Sequence, residues 1–264
     1  MKPLISASEL QRRLQKGGVV VFDCRHRLSD PGWGEAAFRA GHLPGARHLH
    51  LDRDLSAPLA PDLTGGRHPL PDPEVFAELM RTHGVSRRTL VVAYDDMGNP
   101  FAARLWWMLR WLGHDDVQVL DGGLGAWAGP VEEGGAPGVS PGDFRANPRP
   151  ELVAGRQDVE RAELVVDCRA PARFRGEVEP LDPRPGHIPG AINRFWRELV
   201  DEAGRLKKPP QLPPGEPILY CGSGVTACVG LLALEAFGGR RGRLYPGSWS
   251  GWLAAGGPVA KGPA

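Results

Sequence analysis

Six consecutive residues, Cys221-Gly222-Ser223-Gly224-Val225-Thr226, have the types and spacing for nucleophilic sulfur chemistry. They follow an apolar run, Ile218-Leu219-Tyr220, and lead into a helix-forming stretch that extends to Phe237. A cysteine at the end of such a strand lies at the carboxyl edge, where ligands of open α/β folds gather. Gly222, Ser223 and Gly224 carry little side-chain bulk, so successive backbone N–H groups can turn inward as an anion cradle. A helix starting at Val225 or Thr226 adds its positive end. Such a setting is expected to favour a nucleophilic sulfur. The competing reading is a buried core cysteine followed by a mere turn, the usual fate of a free cysteine. The glycines and the following helix favour the nucleophile.

The elements that must position this loop are written twice. Val19-Val-Val-Phe-Asp-Cys-Arg25 returns as Leu164-Val-Val-Asp-Cys-Arg169, and Gly41-His-Leu-Pro-Gly-Ala46 as Gly186-His-Ile-Pro-Gly-Ala191. Leu90-Val-Val-Ala-Tyr-Asp95 matches Pro217-Ile-Leu-Tyr-Cys221, and Leu120-Asp-Gly-Gly-Leu-Gly-Ala-Trp127 loosely matches Tyr245-Pro-Gly-Ser-Trp-Ser-Gly-Trp252. The common order of the four pairs indicates duplication. Strands are expected at 19–23, 89–94, 116–120, 164–167, 217–221 and 242–245. A helix is expected at 73–83, with Asp72 as N-cap, Pro73 in the first turn and Gly84 as terminator. Another, 100–112, is apolar on all sides and should be buried. Strands without polar alternation, separated by helices, predict parallel sheets covered on both faces. The Gly- and Pro-rich stretch from Ala128 to about Pro150 reads as a linker.

Lys plus Arg number 32 against 31 for Asp plus Glu. The balance gives no sign of a nucleic-acid or anionic-membrane partner. With no apolar segment of signal or membrane-spanning length, the expectation is a soluble, cytoplasmic protein. Cys24, Cys168, Cys221 and Cys228 form neither a disulfide framework nor a zinc pattern.

On these motifs, together with Arg173-Phe-Arg-Gly176 and Pro246-Gly-Ser-Trp249, the chain resembles a two-domain rhodanese-type sulfurtransferase over nearly its whole length. The resemblance implies an α/β fold of two tandem rhodanese-like domains, each a mostly parallel sheet with helices on both faces. Residues 1–130 would be the non-catalytic copy, 131–150 the linker and 151–264 the catalytic copy. Cys221 would accept a sulfane sulfur from 3-mercaptopyruvate or thiosulfate as a persulfide, then pass it to cyanide or a thiol. No metal or organic cofactor is implied. A thioredoxin-like or sulfur-carrier protein could serve as acceptor. Asp95 stands where the first copy would need its cysteine.

The same resemblance assigns roles. Ser223, His68 and Asp52 correspond to the family's serine-histidine-aspartate proton relay, with Asp54 competing for the last place, and the site would lie between the domains. Arg173 would bind the donor's carboxylate or sulfonate. A second family arginine lies in Pro-Glu-Pro-Arg, whereas this chain has Glu179-Pro-Leu-Asp-Pro-Arg184, so Arg184 either fills that role or misses the site. Gly222, Gly224, Val225 and Thr226 would line the donor loop, and Trp249 would wall the donor pocket or lie in the core. His42 and His187, present in both copies, are expected to stabilise turns. Cys24, Cys168 and Cys228 are expected in the core, and Trp106, Trp107 and Trp111 in packing.

Two rival functions compete with this reading. A cysteine phosphatase of related fold would need an arginine where this loop has Ala227, which argues against phosphate hydrolysis. A persulfide carrier or regulatory module, handing sulfur to a protein partner without turnover on small donors, fits the same residues.

Overall fold

The structure is a computed structural model that describes residues 2–136 and 138–263. The chain divides into two compact units, each built on a parallel sheet. The first unit comprises Met1–Ser56, Pro71–Arg149 and Asp201–Leu206; the second comprises Ala57–Leu70, Pro150–Val200 and Lys207–Ala264.

In the first unit, β1 (Leu4–Ile5), β2 (Val19–Asp23), β3 (Arg47–His48), β4 (Leu90–Tyr94) and β5 (Val117–Leu120) pair in the order β1-β5-β4-β2-β3. In the second, β6 (Val165–Asp167), β7 (Ile192–Asn193), β8 (Ile218–Tyr220) and β9 (Arg243–Leu244) pair as β7-β6-β8-β9. Every pairing of named strands is parallel. The two orders coincide once β1 is set aside, and even β1 has a counterpart in the parallel bridge from Val153 to Leu244. Central strands are buried along their length, as a sheet covered on both faces requires.

Helix boundaries follow local chemistry. Pro73–Thr82 begins where Asp72 accepts from the Glu74 and Val75 amides, with Pro73 in the first turn, and the chain leaves it through Gly84 at φ +79°. Pro100–Trp111 is buried at almost every position, as its all-round apolar sequence demands. In the second unit, helix Ala227–Gly238 follows β8 and ends at Gly239 in the left-handed region. Among the described residues no helix is long and apolar enough to cross a membrane.

Duplication reaches the buried polar groups. Arg25 pairs with Asp23 at 2.6 Å in the first unit, and Arg169 with Asp167 at 2.7 Å in the second, all four side chains nearly or fully buried. The Tyr94 hydroxyl accepts from the Leu43 amide and the Tyr220 hydroxyl from that of Ile188. His42 stacks on Phe38 and bonds its carbonyl; His187 does the same with Phe174. Both histidines are turn-holding residues, as the repeat implied. Removing one member of a buried pair strands the other's charge, so Arg169→Met is expected to lower stability by about 3 kcal/mol. Urea unfolding checks this value.

Two segments depart from the contiguous division read in the sequence. Residues 131–150 are less a linker than a strap on the first unit. His42 and Glu132 exchange backbone hydrogen bonds, Phe144 is buried with its amide on the Val85 carbonyl, and Arg149 pairs with Asp115. The few apolar residues of the stretch concealed this, because one well-placed phenylalanine suffices to dock it. Residues 57–70 belong in sequence to the first copy yet pack within the second unit.

Candidate active site

The sulfur lies at the end of β8. Cys221 is followed by the Gly222–Thr226 loop, and Thr226 is the N-cap of helix Ala227–Gly238. Gly224 has φ +78°, the left-handed region, and so directs its N–H at Cys221 Sγ, 3.2 Å away. A side chain there would be strained by roughly 1–2 kcal/mol and would tend to turn that amide away. This donor is what a sulfur anion needs. Cys221 is only 2% exposed, as the competing core reading also expects, so it is the Gly224 amide aimed at its sulfur that favours the nucleophile.

The Pro246-Gly-Ser-Trp249 motif holds the loop from behind. The Cys221 amide donates to Ser248 Oγ, the Trp249 amide donates to the Cys221 carbonyl at 3.0 Å, and the Ser250 amide donates to the Gly222 carbonyl at 3.0 Å. Ser248 takes φ +50°, unusual outside glycine, to make this possible. The role of Ser248 and Ser250 was not foreseen. Trp249 is wholly buried, stacked under the Arg169 guanidinium, with its indole N–H donating to the Arg184 carbonyl. It is a core and loop-supporting residue, which corrects its assignment as a donor-binding wall: a fully buried ring presents no surface to a ligand.

Segment 57–70 brings side chains to the same loop. Ser223 Oγ and His68 Nδ1 share a hydrogen bond of 2.7 Å. The preceding residue, Arg67, donates its amide to Ser250 Oγ. A Cβ placed on Gly222 would lie 2.9 Å from Arg67 Nη2 and 3.6 Å from both terminal nitrogens of Arg173. Two guanidinium groups therefore flank the residue beside the cysteine, and a side chain at 222 would push the Arg67 guanidinium aside. Arg173 was expected there; Arg67 was not. Arg184 is exposed and enters the hydrogen bonding through its carbonyl, so the second cation against the loop is that of Arg67.

Asp52 belongs to the first unit, on the short helix Leu51–Asp54, with its carboxylate 3.9 Å from His26 Nε2 and from His50 Nδ1. Asp54 accepts from the His50 amide, which engages the competing candidate in a cap. His26, His50 and Asp52 form the one cluster of metal-ligand spacing among the described residues. The Nδ1 of His50 already accepts from the Asp52 and Arg53 amides, so it is engaged as a helix cap. Cys24, Cys168 and Cys228 are buried, as anticipated.

The corresponding loop of the first unit is closed. Asp95 accepts the amides of Met97 and Asn99 on one carboxylate oxygen and those of Phe101 and Ala102 on the other, at 2.8–3.1 Å. Burial pushes its carboxyl up to about 6, against the opposing pull of these four donors.

A family model for the rhodanese-like domain matches residues 6–130 and again 150–255. The chain belongs to the rhodanese-like family. A probable 3-mercaptopyruvate sulfurtransferase of Pseudomonas aeruginosa is 43% identical, the match covering 95% of this chain and 94% of the relative. A Mycobacterium tuberculosis relative that carries thiosulfate sulfurtransferase in its name is 38% identical, with 94% and 93% covered. The crystal structure of the 3-mercaptopyruvate enzyme SseA from Escherichia coli matches with a TM-score of 0.82 at 35% identity, covering 95% of this chain and all of that one. The tandem rhodanese-like architecture expected from the motifs is thus the architecture of the chain.

Proposed function

We propose that this sulfurtransferase takes sulfur from 3-mercaptopyruvate through a persulfide on Cys221. The thiolate attacks the donor's sulfur; an S–S bond forms as the C–S bond breaks, and the electron pair passes into the enolate of pyruvate. A proton delivered to that enolate completes the step, and the persulfide is then passed to cyanide or a thiol. The thiol can be a small molecule or part of a thioredoxin-like or sulfur-carrier protein. Four free cysteines suit a reducing cytoplasm.

The observation that carries the reading is the 2.7 Å hydrogen bond between Ser223 and His68 beside the cysteine loop. A keto-acid donor leaves as an enolate that needs a proton, whereas thiosulfate leaves as sulfite and does not. Arg173 is the proposed partner of the donor's carboxylate, and Asp52 the proposed third member of the relay on the family resemblance. Gly222, Gly224, Val225 and Thr226 shape the loop around the transferred sulfur.

The test is steady-state turnover of 3-mercaptopyruvate and thiosulfate with cyanide as acceptor. His68→Ala is expected to lower kcat for 3-mercaptopyruvate by about a hundredfold and to spare thiosulfate. Equal losses with both donors would remove the relay. Failure of both donors, with Cys221 still charged by a cysteine desulfurase, would establish the carrier instead.

A further inference from the structure

Three carboxylate-bearing positions answer the guanidinium groups near the loop, but not in the same way. Glu179 is built in. It accepts from Arg169 Nη1 at 3.1 Å, from Arg173 Nε at 3.1 Å and Nη2 at 2.6 Å, and from the Leu181 and Asp182 amides, and it is 2% exposed. Asp167 is fixed by Arg169. Asp182 is held otherwise: one oxygen meets Arg67 Nη1 and the other Arg173 Nη2 at 3.2 Å. A single carboxylate thus spans the two guanidinium groups that crowd Gly222, the residue next to the sulfur.

That bridging arrangement is the one a free carboxylate would adopt on two arginines. Asp182 reaches it from an irregular, proline-rich loop, Glu179-Pro-Leu-Asp-Pro-Arg184, in which Leu181 is solvent-exposed. Burial disfavours its charge, opposed by Arg67, so exchanging it for a ligand's carboxylate would let it return to water. Neither arginine is sealed: their side chains remain 24% and 16% exposed.

Resting on the sulfur-transfer reading above, we propose that Arg67 and Arg173 together form the seat for the donor's carboxylate, and that Asp182 occupies this seat until the donor displaces it. Arg67 is then a specificity-determining residue, and Asp182 a tethered competitor that sets the donor concentration the enzyme needs. The seat accepts one small monocarboxylate in exchange for one aspartate, leaving the local charge unchanged. A dianion such as thiosulfate would leave excess negative charge beside the cysteine.

The experiment measures KM and kcat for 3-mercaptopyruvate in wild-type, Arg67→Met, Arg67→Lys and Asp182→Asn enzymes, with pyruvate as a competitive inhibitor. Binding of pyruvate to Cys221→Ser is followed by calorimetry in the same backgrounds. Arg67→Met is expected to raise KM on the order of tenfold or more, with a smaller change in kcat. Arg67→Lys should fall between, keeping charge without the fork. Asp182→Asn is expected to lower KM and to tighten pyruvate several-fold. A KM in Arg67→Met within twofold of wild type overturns the seat, and an increase in KM for Asp182→Asn overturns the displacement. Wild-type enzyme that turns over neither donor overturns the sulfur-transfer reading instead, while Arg67-dependent pyruvate binding in the Cys221→Ser background would still support the seat.

Discussion

Cys221→Ser is expected to abolish sulfur transfer, lowering turnover of either donor by a thousandfold or more, on the order seen when a covalent nucleophile is removed. The variant should fold normally. Serine fits the space, its oxygen can accept the Gly224 amide, and the bonds from Ser248, Trp249 and Ser250 to the loop involve backbone atoms of residues 221 and 222. Mass spectrometry of wild-type enzyme after incubation with donor should find one added sulfur on the peptide containing Cys221. Cys24, Cys168 and Cys228, none of which lies on the Gly222–Thr226 loop or at its head, should carry none. Activity retained in the variant, or persulfide on another cysteine, would refute the mechanism.

The second large effect concerns the copy that lacks a cysteine. Asp95→Ala removes the acceptor of four buried amides at once. An unsatisfied buried donor costs about 1–3 kcal/mol. The burial penalty of the charge offsets part of the sum, so a loss on the order of 5 kcal/mol is expected in urea unfolding. Formate should restore much of this stability, since it can place two oxygens where the aspartate had them, and it should leave the wild type unaffected. Asp95→Asn should be nearly as damaging and should resist rescue, because its amide nitrogen would face two N–H donors while filling the space. An Asp95→Ala protein that unfolds at the wild-type urea concentration would show that these bonds carry no net stability.

Much of this was legible because it is local. Strand runs, the Asp72 cap and the apolar helix at 100–112 depend on neighbours within a few residues, and duplication allowed each signal to be read twice. The turn-holding place of His42 and His187 was legible because the copy without a nucleophile keeps its histidine, and each stacks on a phenylalanine and bonds its carbonyl. What escaped depends on the chain returning to itself. Arg67 looks like any loop arginine until residues 57–70 pack within the second unit. Trp249 has the same composition and spacing whether it faces a ligand or the core, and only its indole bond to the Arg184 carbonyl and its place beneath Arg169 decide. The strap that ends in Arg149 reads as a linker in sequence because average composition hides a single docked phenylalanine, Phe144.

The placement of residues 57–70 bears on how such a duplicated protein can age. A gene truncated at the 131–150 strap would encode a C-terminal half that holds the sulfur but lacks residues 57–70 of its own compact unit, His68 and Arg67 included. Under the proposed reaction, the loss of that one segment would cost the second unit its proton donor and one of its two carboxylate-binding cations.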